Sequence, residues 1–346
     1  MKLNVHTCHL HLANEWKIAN SESSKTDEVI IVELTDGDGV TGIGEAAPSS
    51  VYGETPEAVL EFYRRVDVSG FSFSDVSDSM DRLETFAPMP TAARCGLNTA
   101  LADGAAKRVG KALYDFLNLG FREHRHVTSF SIGIDAPEMI RKKVLAATHY
   151  PVLKLKVGDE RDRENVSALR AVAPDKPVRL DANEGWKTKE RALEMLEWLA
   201  RDGRIQFVEQ PMPRGASVTD LKWLKARSPL PLFADESCRT VADVPRCAEC
   251  FHGVNVKLVK TGGVSMAFET LQAARLAGLK TMIGCMIETS VLISAAAHLA
   301  ELADFLDLDG NLLITNDPYF GVTAEHGILS FAWAKDPFGL RVTGRK

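Results

Sequence analysis

The sequence predicts an α/β fold dominated by a closed parallel barrel of the TIM type, preceded by an α+β segment. Three observations carry this. From about residue 127 onward, short β-rich runs alternate with helical stretches, which implies βαβ units and a parallel sheet. Eight such runs follow one another, and eight units suggest a barrel that closes on itself. No Gly-rich GxGxxG fingerprint opens the series, which weighs against a doubly wound open sheet.

In the first hundred or so residues, VIIVELTDGDGVTGIGEAAP reads as a β-hairpin with turn residues DGDG between two strands. TPEAVLEFYRRV and TAARCGLNTALADGAAKRVG follow as helices, the second Ala-rich with apolar residues three and four apart. Barrel strands are expected at VTSFSIGI (127–134), VLKLKV (152–157), PVRLDAN (177–183), IQFVEQP (205–211), LPLFADES (230–237), GVNVKLVK (253–260), LKTMIGCMI (279–287) and DFLDLDG (304–310). Helical stretches such as PEMIRKKVLAATHY and MAFETLQAARLAG separate them. KTGGVS, after the sixth strand, reads as a strand-to-helix turn in preference to a ligand cradle.

Composition excludes several classes. The 346 residues are 45% hydrophobic and 25% charged, the balance of a globular protein. A net charge of −6 argues against a nucleic-acid partner. No apolar run reaches the length of a membrane span, and MKLNVHTCHLHLANEW lacks the apolar segment of a secretory signal. Six cysteines without regular spacing suggest reduced thiols, so a cytoplasmic location is expected. Cys247 and Cys250, with His252 behind them, have no second ligand pair and fall in a helical stretch, so a structural role is expected. His6, His9 and His11 read as the polar face of an alternating first strand.

PVLKLKVG (151–158) places two lysines in a run that otherwise reads as buried strand. With a side-chain period of two, Lys154 and Lys156 share one face and Leu153, Leu155 and Val157 the other. An edge strand with a solvated face is the simple account. The other charges favour a different one. Lys156, Asp181, Glu209, Asp235 and Lys257 close or nearly close successive strands, spaced 25, 28, 26 and 22 residues apart. Asp307 and Asp309 end the eighth. In a parallel barrel all strand C-termini meet at one face, where active sites are built. Asp181, Glu209 and Asp235 would repel one another there unless a cation held them. An all-oxygen set favours Mg²⁺, with Mn²⁺ as a substitute; three separate helix caps are the alternative. Lys156 and Lys257 then flank the metal, one to remove an α-proton from a carboxylate substrate and the other to return one. That chemistry asks for a depressed lysine pKa, expected from the metal and from Lys154. Lys260 competes with Lys257, but an offset of three puts it on the other strand face or past the strand's end.

KLK, DAN, VEQP, ADES and NVKLVKTGG, in this order and spacing, resemble the enolase superfamily, muconate-lactonizing subgroup. GIGEAAP and GCMIETS are similar to two further signatures. The resemblance covers nearly the whole chain. It implies a modified (β/α)7β barrel (126–315) with an α+β capping domain (1–125) that the last residues (316–346) complete. It implies Mg²⁺ on Asp181, Glu209 and Asp235, an acid/base pair of Lys156 and Lys257, Lys154 as helper, and Glu288 near the site. It also implies a homo-oligomer. Lys257 on strand six departs from the His–Asp pair of a mandelate-racemase-like member.

DLDG (307–310) is similar to the DxD of the dipeptide epimerases, whose two acids hold the substrate α-ammonium; a helix-start acid pair is the alternative. An epimerase of this kind inverts the α-carbon of the C-terminal residue by two-lysine 1,1-proton transfer through a metal-held enediolate. Lyase or racemase members such as o-succinylbenzoate synthase, N-acylamino acid racemase and muconate cycloisomerase are the runner-up. A binding protein without turnover and a Schiff-base aldolase are the readings from other classes. In Ala-Glu epimerases an arginine of the mobile N-terminal loop grips the glutamate. The matching loop here, IANSESSKTDE (18–28), has none; Ser21 stands in its place beside Glu22, with Lys25 near. Glu22 raises the expectation of a cationic or polar substrate side chain.

Overall fold

The computed structural model describes residues 1–19 and 22–345. Three antiparallel strands, β1 (Lys2–Trp16), β2 (Ser24–Thr35) and β3 (Thr41–Ala46), form the N-terminal sheet in that order. The expected hairpin is β2–β3. Helices α1 (Pro56–Arg65), α2 (Val76–Glu84) and α3 (Thr91–Arg108) follow, with α3 packed on β3 and β2. Close approach explains why both elements are built from small residues. A Cβ on Gly44 would lie 2.1 Å from the Gly96 carbonyl oxygen, and one on Gly42 2.0 Å from that of Ala100. Only hydrogen at these positions lets strand and helix backbones touch.

After the short α4 (Leu113–Phe116), eight parallel strands run in sequential order: β4 (Phe130–Ile132), β5 (Leu153–Lys156), β6 (Val178–Asp181), β7 (Ile205–Glu209), β8 (Leu232–Ala234), β9 (Gly253–Lys257), β10 (Lys280–Gly284) and β11 (Phe305–Asp307). A parallel bridge from Thr128 to Leu306 and a bond from Ser129 N to Leu306 O (3.1 Å) close the ring between β4 and β11. Every expected strand is present, shorter than its sequence run because the ends turn away as loops. One correction concerns the sixth. GVNVKLVK is a strand only to Lys257; residues 258–261 coil into α10 (Leu258–Thr261).

Outer helices α5 (Pro137–Ala146), α6 (Asp162–Val172), α7 (Lys189–Ala200), α8 (Val218–Lys225), α9 (Val244–Cys250), α11 (Val264–Leu276) and α12 (Ser290–Ala297) bury their apolar faces on the strands. Cys247 and Cys250 lie buried in α9, and all six cysteines are unpaired. His6, His9 and His11 are exposed along β1. The KTGGVS glycines adopt positive φ (96° and 119°), and Cβ atoms there would strike Arg94 and Asn98 of α3, so the turn serves packing.

The last stretch forms two small ladders, β12 (Tyr319–Phe320) with β15 (Thr343–Gly344) and β13 (Thr323–Glu325) with β14 (Ile328–Ser330). It touches both halves: Leu340 N donates to Asp103 of α3 (2.7 Å) and Val322 N to Ser294 of α12 (2.9 Å). The N-terminal part also docks over the barrel mouth. Glu45 of β3, fully buried, accepts from Thr289 N (3.0 Å) and the Thr289 hydroxyl at the start of α12. A buried carboxylate at a helix N-terminus satisfies donors the helix cannot.

Candidate active site

Alternation along each strand sorts the barrel interior into two layers. In the lower one, Phe207, Phe233 and Phe305 pack against one another, with centroids 4.2–5.6 Å apart. Arg179 lies over Phe207 and Phe305 and donates to Leu306 O (2.6 Å). This plug is the floor. Two residues further along each strand come the charges: Asp181 above Arg179, Glu209 above Phe207, Asp235 above Phe233, Asp307 above Phe305. Registers pair Lys156 with Asp181 and Asp181 with Glu209 on one side, and Lys257 with Gly284 and Gly284 with Asp307 on the other.

Lys154 and Lys156 sit on a central strand, 1% and 7% exposed, which overturns the solvated-edge account. Lys154 Nζ lies 2.7 Å from Asp307, 2.8 Å from Glu209 and 3.1 Å from Asp181. Lys156 Nζ donates to Asp181 (2.6 Å) and Lys257 Nζ to Asp235 Oδ2 (2.8 Å). Lys260 lies past the strand's end, one of the two places its offset allowed, and there it is buried and grips the other oxygen of Asp235 (2.5 Å), its carbonyl (2.6 Å) and the Asn255 carbonyl (2.9 Å). The turn into α10 swings it back under the site. Lys257 remains the lysine at the cavity.

One oxygen from each of Asp181, Glu209 and Asp235 lies within 4.8 Å of the others, all three side chains buried. Glu209 Oε2 has no aligned hydrogen bond despite its closeness to Lys154. Burial and Asp181 push the Glu209 carboxyl up to about 7. An all-carboxylate set with an under-satisfied buried oxygen fits a hard divalent cation. The expected lowering by Lys154 is felt at Lys257, but among the protein's own groups it does not prevail. Burial pulls Lys257 down, but Asp235 outweighs it and holds the ammonium well above its ordinary value. Lys154 is likewise held up, against burial, chiefly by Asp307, Glu209 and Asp181.

A cavity of roughly 280 Å³ opens above this layer, with Lys154, Lys156, Lys257, Asp307 and Asp309 in its wall. At the β11 end, Asp307 accepts from Ser129 Oγ (2.6 Å) and Lys154, and Asp309 Oδ2 accepts from Ser131 N (2.5 Å). Burial raises both carboxyls, but Lys154 brings Asp307 down to about 2, while Asp307 pushes Asp309 on to about 7. Glu22 is also among the residues that line the cavity. Lys25 is exposed and does not line it, and Ser21 lies outside the described residues. Glu288 sits behind the wall, accepting from Met286 N (3.0 Å), and Met286 and Ile287 take the lining position instead.

Several supporting residues carried no signal in the charge pattern. Gln210 staples two strand ends, accepting from Asp235 N (3.0 Å) and Ser237 N (3.1 Å) and donating to Met212 O (2.8 Å). Asn255 donates to Glu209 (2.6 Å), and Asn183 to Glu236 (3.2 Å). Asn183 and Gln210 both have positive φ (41° and 36°), the backbone strain that gathers where a site over-determines its loops. DAN and VEQP already held the clue, a side-chain amide one or two residues past each carboxylate.

Barrel, cap, carboxylate triad and flanking lysines define a class, the barrel enzymes of the enolase superfamily. The chain belongs to that superfamily: it matches the Enolase C-terminal domain-like family over residues 138–314 and the Mandelate racemase / muconate lactonizing enzyme, N-terminal domain over residues 7–118. It is 62% identical over 338 residues to an L-Ala-D/L-amino acid epimerase of Pedosphaera parvula, covering 97% of each chain. Its fold superposes with a TM-score of 0.92 on the substrate-liganded L-Ala-D/L-Glu epimerase from Bacillus subtilis, at 26% identity, covering 99% of this chain and 98% of that one. A dipeptide epimerase from Cytophaga hutchinsonii, complexed with Mg and D-Ala-L-Val, gives the same score and identity, covering 99% and 95%.

Proposed function

We propose that this chain is a magnesium-dependent dipeptide epimerase. The observation that carries the reading is the pair Lys156 and Lys257. Their strands stand four apart in a closed ring of eight, so the two amines face each other across the carboxylate triad. Asp181, Glu209 and Asp235 would hold Mg²⁺, which when bound supplies the positive charge that acidifies the α-proton of a carboxylate substrate. One lysine takes that proton at Nζ, and the other delivers a proton to the opposite face of the same carbon, inverting it. Lys154 keeps Asp307, Glu209 and Asp181 in one cluster. Asp307 and Asp309 give the α-ammonium of a dipeptide two acceptors; a lactone or acyl substrate has no use for them. The buried aromatic floor closes the barrel beneath the site.

Chiral separation of products tests the reading. Incubation of an L,L-dipeptide with the protein and Mg²⁺ yields the L,D-diastereomer, and chelation stops it; an unchanged dipeptide refutes the proposal.

The division into a cap (1–125), a barrel (126–315) and a returning segment (316–346) is part of the same reading, supported by the contacts of the last stretch with α3 and α12. Six unpaired cysteines support a reducing, cytoplasmic setting. Among the described residues no helix is long and apolar enough to cross a membrane. Assembly into a homo-oligomer is the family expectation, and sedimentation reads it.

A further inference from the structure

We infer that the preferred dipeptide carries a cationic side chain on its C-terminal residue. This rests on the dipeptide reading and names its substrate class. With the substrate carboxylate at the triad, the α-carbon between Lys156 and Lys257, and the ammonium at Asp307 and Asp309, the rim of the cap is the wall left for the side chain. There the cavity is lined by Glu22, Asp27, Ser50 and Tyr52 beside the apolar Trp16 and Ile18, and among the described residues that rim offers no cation.

Asp27, on β2, is the central feature. It is half-buried, and Oδ1 accepts from Glu28 N (2.8 Å). No ion pair reaches it among the described residues. Burial pushes its carboxyl up to about 6 against the lowering effect of the Glu28 N–H, and Glu288 stands behind the same wall. The nearby arginines are committed elsewhere. Arg214 and Arg239 lie over the Tyr52 ring at 5.5 and 5.0 Å, and Arg214 also pairs with Glu184 (2.9 Å). Neither lines the cavity. A glutamate side chain would bring a like charge to this rim, and an apolar one would strip water from an unpaired carboxylate. An ammonium or guanidinium satisfies it.

The test compares kcat/KM for α-proton exchange of L-Ala-L-Lys, L-Ala-L-Leu and L-Ala-L-Glu, with Mg²⁺, in the unaltered protein, Asp27→Asn and Glu22→Gln. The inference predicts lysine best, ahead of glutamate by at least about tenfold, with the ratio shrinking as salt is added. Asp27→Asn lowers the lysine-to-glutamate ratio severalfold, and Glu22→Gln less. The salt series needs no variant, so a poorly folded Asp27→Asn does not decide the matter. Leucine or glutamate equal to or better than lysine overturns the inference while the epimerase stands. A ratio unmoved in folded Asp27→Asn overturns the part given to Asp27. No exchange with any of the three overturns the dipeptide reading, and this inference with it.

Discussion

Replacing Asp309 by asparagine removes one charge from the cavity wall and little else. The residue is 3% exposed; Cys285 Sγ lies 3.8 Å from its Oδ1 as a weak donor, and Ser131 N donates to its Oδ2 at 2.5 Å. An amide keeps an acceptor oxygen for that donor. What disappears is the anion facing the substrate ammonium. A hydrogen bond to a charged group contributes about 1.5–3 kcal/mol. At about 1.4 kcal/mol per factor of ten, KM for a dipeptide rises roughly 10- to 150-fold. Asp307 gives the contrast. It also holds Lys154 at 2.7 Å, so Asp307→Asn leaves a buried ammonium with one carboxylate fewer and disturbs Asp181 and Glu209 through it. That variant loses kcat as well, whereas Asp309→Asn acts mainly on KM. The assay is the initial rate of α-proton exchange against concentration, run in parallel with the same dipeptide acetylated at its amine. An unchanged KM in Asp309→Asn, or an equal loss with the acetylated compound, refutes the reasoning.

The same carboxyl sets a pH dependence. Burial and Asp307 push Asp309 up to about 7, and only its ionised form pairs with an ammonium. Dipeptide affinity is therefore present above that value and lost as pH falls through it; a KM profile shows the slope in the unaltered protein and a flatter one in Asp309→Asn. Lys260→Met removes the donor to Asp235 Oδ1 (2.5 Å) and to two carbonyls, so calorimetry with Mg²⁺ finds affinity weaker by about 10- to 100-fold, as for other groups that orient a metal ligand. Gly44→Ala forces a Cβ to 2.1 Å from the Gly96 carbonyl oxygen and lowers stability by about 1–3 kcal/mol or more, read as a shifted denaturant midpoint.

Strand alternation made most of the barrel legible. Lys154 and Lys156 share a face because the period is two, and the spacing of Asp181, Glu209 and Asp235 follows from one βα unit per carboxylate. Lys260 lies past the strand's end, one of the two places its offset allowed, but a strand pattern carried three residues beyond Lys257 hides the helical turn that buries it, where the period changes from 2 to 3.6. The balance of charges at the lysines is not legible from spacing for another reason. A spacing argument counts the charges near an amine but not their bonding: Lys257 donates to Asp235, which among the protein's own groups holds the ammonium up against burial and Lys154. Asp27 stands within the 18–28 stretch but carries no signal of its own there; β2 takes it up as a strand residue, and only the docking of the cap turns it toward the cavity. Gln210 and Asn183 act through neutral amides whose worth depends on geometry. Glu288 had the right neighbourhood but the wrong side of the loop.

The central claim is that two lysines work opposite faces of one carbon. The most direct test is deuterium uptake at the α-carbon in D₂O with Mg²⁺ and pooled L,L-dipeptides, read by mass spectrometry for the unaltered protein, Lys156→Ala and Lys257→Ala. The account predicts uptake that each substitution abolishes or confines to one stereoisomer. No uptake in any pool with Mg²⁺ bound, or uptake from both stereoisomers that survives in either variant, would contradict it.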